Sequence, residues 1–251
     1  MLQARLKAGI ATLLLASCIL WMISLGSQYI KHEYRYAEHT ASNGVILQAL
    51  ILKPEQVGLK AVNAPLQNES SLGMNGGFFF GTDILSIAVQ NDLPVKGTAR
   101  TYGTGWYNVK YPRGTLVWDD TARRFSVQVV SSADDLLVKN RNRYFAQGGI
   151  SMNLMHENSW QSAIDQEKLP YPLEQRLRSG LVYDEHNQLW LIVTPSRATA
   201  AEFRSAIQEQ IAPGRSKEGI FLDGDGSSQL NVPGHNVLGD SRDLRQIISL
   251  K

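Results

Sequence analysis

The apolar positions of this chain fall into short, dense runs rather than long helical stripes. Residues 44–52, 85–89, 114–118, 125–130, 180–183, 189–194 and 219–222 are rich in aliphatic, β-branched and aromatic residues. Gly, Pro, Asn or Asp separate them, as expected of strands joined by turns. One segment breaks the pattern. Over 199–211 the residues Ala200, Phe203, Ala206, Ile207 and Ile211 recur at helical spacing, Thr199 stands where an N-cap belongs, and Pro213-Gly214 stops the helix. A second, short helical pattern lies near 132–138. With the good helix set between the runs at 189 and 219, the order predicts a β-helix-β unit. The fold class is α/β (mixed α+β), a single domain with a mixed, strand-rich sheet and few helices.

The amino terminus differs in kind. Residues 8–26 carry no charge, and a helix needs about 20 predominantly apolar residues to cross a bilayer. Arg5 and Lys7 precede this run, which favours a cytoplasmic amino terminus and puts the rest of the chain outside. The run reads as an uncleaved signal anchor. A cleaved signal peptide is one alternative; a lipid anchor is the other, because Leu15-Ala16-Ser17-Cys18 resembles a bacterial lipobox. The expected organisation is a membrane anchor or signal segment over 1–27, a polar stalk over 28–42 and one domain over 43–251, on the periplasmic or cell-surface side.

Charge and cysteine content remove several classes of function. Lys and Arg number 25 against 23 Asp and Glu, for a net charge of +2 without a basic stripe, so nucleic acid is not an expected partner. Cys18 is the sole cysteine, which excludes an internal disulfide, a thiolate zinc cage and a cysteine nucleophile. The histidines at 32, 39, 156, 186 and 235 show no ligand spacing, so no zinc centre and no cofactor is expected. A divalent cation between Asp223 and Asp225 is the metal reading the pattern leaves.

Two glycine-rich turns hold the candidate chemistry. In the turn at 73–81, small residues let backbone amides approach a ligand, although Asn75-Gly76 is also a hairpin signal. In the turn at 220–230, a strand delivers Asp223 and Asp225 ahead of Ser227 and Ser228, a grouping able to bind a cation, a phosphate or sugar hydroxyls. It is not an EF-hand, since Ser228 stands where that loop needs Gly and Gly234 where it needs Glu. It lacks the lysine of a P-loop. A structural Asx-turn remains the alternative.

Asn-Gly-Gly-Phe-Phe at 75–79, then Gln147-Gly148-Gly149, Arg178-Ser179-Gly180 and Leu222-Asp223-Gly224-Asp225-Gly226-Ser227-Ser228 form a series that resembles the phosphodiester glycosidase domain family. That family includes the mannose 6-phosphate uncovering enzyme and many exported bacterial proteins. The resemblance runs from about residue 45 to the carboxy terminus. It implies an extracytoplasmic hydrolase that cleaves a sugar-1-phosphodiester at the glycosidic side, with a glycan or sugar phosphodiester as substrate. It also implies roles. Arg178 would contact the phosphate, and Asp223 would act as general acid/base or stabilise oxocarbenium-like charge. Asn75, Gly76, Gly77, Gly224, Ser227 and Ser228 would form the substrate-binding shell, with Asp225 a second carboxylate. The family often has glycine where this chain has Asp225, so the charge here is more negative. A non-catalytic binder of cell-envelope glycans with the same pocket is the alternative function.

Overall fold

The apolar runs become strands of two sheets rather than one, and a third sheet forms from segments outside those runs. The structure, a computed structural model, describes residues 34–251. The first sheet has the order β1 (Arg35–Thr40), β2 (Ile46–Leu52), β14 (Leu189–Val193), β13 (Ser179–Asp184), β15 (Lys217–Phe221) and β12 (Ile150–Ser151). The second runs β10 (Arg124–Val130), β9 (Arg113–Asp119), β11 (Tyr144–Gly148), β7 (Ala88–Gln90) and β8 (Leu93–Pro94). The third runs β17 (His235–Val237), β16 (Leu230–Val232), β4 (Gly73–Asn75), β18 (Gln246–Leu250) and β3 (Val57–Ala61). β5 (Phe79–Phe80) and β6 (Asp83–Ile84) form a separate hairpin. The helices among the described residues are α1 (Trp160–Gln166) and α2 (Ala200–Gln210).

The strand-rich α+β composition is as expected, but all strand pairs within the sheets are antiparallel, so the anticipated mixed sheet is replaced. The β-helix-β unit exists in a split form. β14 and β15 each pair antiparallel with β13, so they run parallel to one another while α2 carries the chain across β13. Residues 35–40, read as stalk because of their polarity, pair along their whole length with β2, from Arg35 opposite Ile51 to Thr40 opposite Ile46. An edge strand buries little of itself, and its composition therefore resembles a linker. The segment near 132–138 makes a single 3-10 turn over Ala133–Asp135. Helix α1, absent from the expected elements, is too short to show periodicity.

Inside the first sheet, β14 reads as a continuous apolar run because both its faces are covered. Along β14, Trp190 and Ile192 join the core under the helices, while Leu189, Leu191 and Val193 join the core facing the other sheets. α2 starts as the sequence expects: Thr199 Oγ1 accepts the Glu202 amide at 3.2 Å, and Glu202 Oε2 accepts the Thr199 amide at 2.8 Å. Its buried Phe203, Ala206 and Ile207 seat it on the sheet, with each large apolar side chain contributing about 1.5–3 kcal/mol. The segment 8–26 and Cys18 lie outside the described residues. No helix among those described is long and apolar enough to cross a membrane.

Candidate active site

Antiparallel pairing sets the end of β15 beside the start of β13, and this brings two of the motifs together. The Leu222 amide donates to the Ser179 carbonyl at 2.9 Å and the Asp225 amide to the Leu177 carbonyl at 2.8 Å, so Arg178 and Asp223 flank one opening. The third sheet meets this point through β4. Asn75 Nδ2 donates to the Asp223 carbonyl at 2.8 Å, and Asn75 Oδ1 accepts Ser179 Oγ at 2.9 Å and the Gln229 amide at 3.2 Å. Gln147-Gly148-Gly149 is the passage from the second sheet into the first, where a β-carbon on Gly149 would stand 2.2 Å from the Phe221 carbonyl oxygen.

Asp223 lies in a cleft of about 150 Å³ lined by Arg176, Arg178, Arg242, Tyr171 and Phe78. Phe78, Pro170 and Asp223 also line a neighbouring groove of about 520 Å³ walled by Phe79, Phe80, Tyr102 and Tyr111. Asp223 therefore stands where a guanidinium-rich arm and an aromatic arm join. Burial raises its carboxyl pKa to about 6, helped by the neighbouring Asp225 charge and opposed by Ser227, Arg242 and the Gly224 amide. The group is surrounded by protein yet keeps part of its surface open to the cleft. Ser227 is fully buried beside it. Its hydroxyl favours the ionised carboxylate by proximity but forms no well-aligned hydrogen bond.

Of the remaining residues of the expected binding shell, Gly76, Gly77 and Ser228 turn inward. The Gly76 amide donates to the Gln246 backbone carbonyl at 3.0 Å and the Gly77 amide to Gln246 Oε1 at 2.9 Å. A β-carbon on Gly76 would sit 1.6 Å from that same side-chain oxygen. These glycines therefore serve close packing, and neither their amides nor the saturated Asn75 side chain has capacity left for a ligand. Ser228 is likewise buried, bonded to Ser179 Oγ at 2.9 Å. Gly224 does line the cleft, with no room for a β-carbon, which would meet the Leu177 carbonyl oxygen at 2.9 Å.

Arg178 is bound into the fold by its own hydrogen bonds. Its Nε donates to the Ala198 carbonyl at 2.9 Å, and Nη2 donates to the carbonyls of Tyr171 at 2.7 Å and Glu174 at 2.8 Å, leaving Nη1 for the cleft. Burial, with the Arg176 charge nearby, lowers its pKa to about 10, still protonated at neutral pH. Arg242 was not legible in the sequence. It reaches the cleft because Gly226 has no side chain: a β-carbon there would stand 2.1 Å from Asp240 Oδ2 and 2.4 Å from Arg242 Nη2. His235 stacks on Tyr36 with ring centroids 3.4 Å apart and does not line the cleft.

Asp225 is not free to act as a second carboxylate, because Arg176 Nη1 holds it at 2.8 Å. Its φ of 54° lies in the left-handed region, where glycine is at home and Asp is better tolerated than most residues. Asp225→Gly is accordingly expected to unfold within about 1 kcal/mol of wild type, and Asp225→Val to lose about 1–2 kcal/mol more. Denaturant melts of the two variants check this, and a Val variant as stable as the Gly variant would be inconsistent with it.

The fold is shared with a solved enzyme domain. The catalytic domain of zebrafish N-acetylglucosamine-1-phosphodiester α-N-acetylglucosaminidase, auto-inhibited by its pro-peptide, superposes with a TM-score of 0.57 at 14% identity. That match covers 87% of this chain and 82% of the zebrafish one. A hypothetical protein from Synechocystis matches more loosely, with a TM-score of 0.49 and 11% identity over 86% of this chain and 61% of the other. No family model matches the chain, and no curated protein matches it in sequence. The likeness to the zebrafish domain is one of fold, at the distance that such an identity sets.

Proposed function

We propose that this protein is a hydrolase that cleaves a sugar-1-phosphodiester at the glycosidic bond, releasing a free sugar and a phosphomonoester. The observation that carries the reading is Asp223 at the junction of the two arms. Planar guanidinium groups suit a phosphate, which places it among Arg176, Arg178 and Arg242. Aromatic faces suit the sugar, and the anomeric carbon then lies over Asp223. Ionised Asp223 takes a proton from water as the water oxygen bonds to the anomeric carbon. The anomeric C–O bond breaks, and its electron pair leaves with the phosphate. A phosphomonoester has a second pKa near 6 and leaves without general-acid help, so one carboxylate suffices where ordinary glycosidases use two. The name of the zebrafish enzyme, which shares the fold, supports the bond class.

The full-length chain and its Asp223→Asn variant, incubated with UDP-sugars and sugar-1-phosphodiesters, provide the test. Free sugar and phosphomonoester are expected from the wild type and not from the variant; equal release from both, or from neither, rejects the assignment. The same proposal sets the domain outside a membrane, motivated by the uncharged run at 8–26 behind Arg5 and Lys7. A carboxy-terminal alkaline phosphatase fusion in bacteria is then expected to be active and a green fluorescent protein fusion dark. The reverse pattern would put the domain in the cytoplasm.

A further inference from the structure

We infer that the aromatic arm binds a glycan of several sugar units rather than a single terminal sugar, an inference that rests on the reaction proposed above. Phe80, Tyr102 and Tyr111 are 77%, 57% and 36% exposed, an outlay of apolar surface that a soluble face avoids unless something covers it. The backbone that carries these rings is nevertheless held in place. The hairpin carrying Phe80 is tied at its turn by Arg245 Nε to the Gly81 carbonyl at 2.7 Å and by Lys96 Nζ to the Thr82 carbonyl at 2.7 Å. Its second strand accepts the loop of Tyr102, with the Ile84 amide donating to the Gly103 carbonyl at 3.1 Å. Tyr111 is backed by the Arg113 guanidinium, 5.8 Å from its ring and 5.1 Å from that of Phe78, and Arg113 Nε is fixed on the Glu167 carbonyl at 2.9 Å. Exposed aromatics on a tied backbone supply contact area at small entropic cost on binding.

The occupant follows from the chemistry of the walls. Two of the three exposed rings carry hydroxyls, and the groove is open rather than a closed aliphatic tunnel, a mixture that fits pyranose faces with their rim of hydroxyls better than an acyl chain. Its volume of about 520 Å³ against about 150 Å³ in the arginine cleft leaves space beyond the sugar over Asp223, which lines both. The reducing-end sugar would bear the phosphate, with further units running out over Tyr102 and Phe80.

Binding without turnover tests this independently of the reaction. The full-length chain and a Phe80→Ala/Tyr102→Ala variant are titrated with neutral β-1,4-linked N-acetylglucosamine and α-1,4-linked glucose oligomers of one to four units, and separately with inorganic phosphate. Affinity in at least one series is expected to rise at least about tenfold from one unit to three and to lose that gain in the double variant, with phosphate binding unchanged. Affinity independent of length in both series, or a length gain that survives the double substitution, overturns the inference. Dodecyl phosphate that binds and is lost in the double variant, while sugars do not respond, gives the groove to an acyl chain and overturns it too. If the hydrolysis assay fails while the length gain and its loss are observed, the reaction falls and the glycan site stands.

Discussion

Asp223→Asn is expected to abolish hydrolysis, by at least about 10³-fold in kcat/KM, while raising stability at pH 7.5 by about 1–3 kcal/mol. Both effects have one cause. Folding carries the Asp223 carboxyl into a protein-lined cleft, and its pKa rises from 3.8 to about 6. Above the folded value the group is ionised in both states, and the native state carries the full desolvation cost. Between the two values the native state binds the proton more than the unfolded chain does, so this group's contribution to stability rises as pH falls and the cost is gone near pH 4. Asparagine removes the charge and with it the cost. Urea melts of wild type and variant should show a gap at pH 7.5 that closes toward pH 4, and a variant less stable than wild type at pH 7.5 would contradict this. Activity should run the other way with pH. Because the ionised form accepts the proton, kcat/KM is expected to rise tenfold per pH unit up to about 6 and then level off. A profile that instead falls above 6 would make Asp223 a general acid. The site is thus held ready at the expense of the fold, a trade common at catalytic carboxyls.

Arg178→Ala should destabilise the domain by about 3–5 kcal/mol, well beyond what a phosphate contact at the surface would produce. The buried guanidinium bonds three backbone carbonyls, those of Tyr171 and Glu174 in one loop and that of Ala198 just before α2. Alanine strands the Glu174 carbonyl, takes one of two donors from the carbonyls of Tyr171 and Ala198, which keep the amides of Glu174 and Arg176, and unties the loop that bears Tyr171 and Arg176. Lysine keeps the charge but lacks the planar fork, so Arg178→Lys should recover less than half of the loss. Denaturant midpoints provide the measurement. An alanine variant with an unchanged midpoint would confine Arg178 to ligand contact, whereas the expected result makes it a residue that shapes the cleft and offers Nη1 to what binds there.

Much of the architecture could be read from local pattern. The apolar runs at 114–118, 125–130, 180–183, 189–194 and 219–222 lie in β9, β10, β13, β14 and β15, and the capping pair Thr199 and Glu202 opens α2 where helical spacing begins. β1 escaped notice because an edge strand is polar, and β4, β16 and β17 because three residues are too few to show alternation. Within the site, the turn after β15 was recognisable as a place where Asp223 would be presented. Arg242 was not, because nothing near it in the chain distinguishes it from any other arginine paired with an aspartate two residues away.

What the sequence determined by itself is therefore what depends on neighbours a few residues apart: strand and helix positions, the Thr199 cap, and a glycine-rich turn carrying Asp223 at the end of a buried strand. Only the tertiary structure decided which polar groups remain available. Asn75 looks the same in sequence whether it faces a ligand or not, and it is committed to the fold by Ser179, 104 residues away. The amide of Gly77 is taken by Gln246, 169 residues away. A hydrogen-bonding group can serve a substrate only after its structural partners have been counted, and those partners arrive through sheet pairing over distances that no local pattern records.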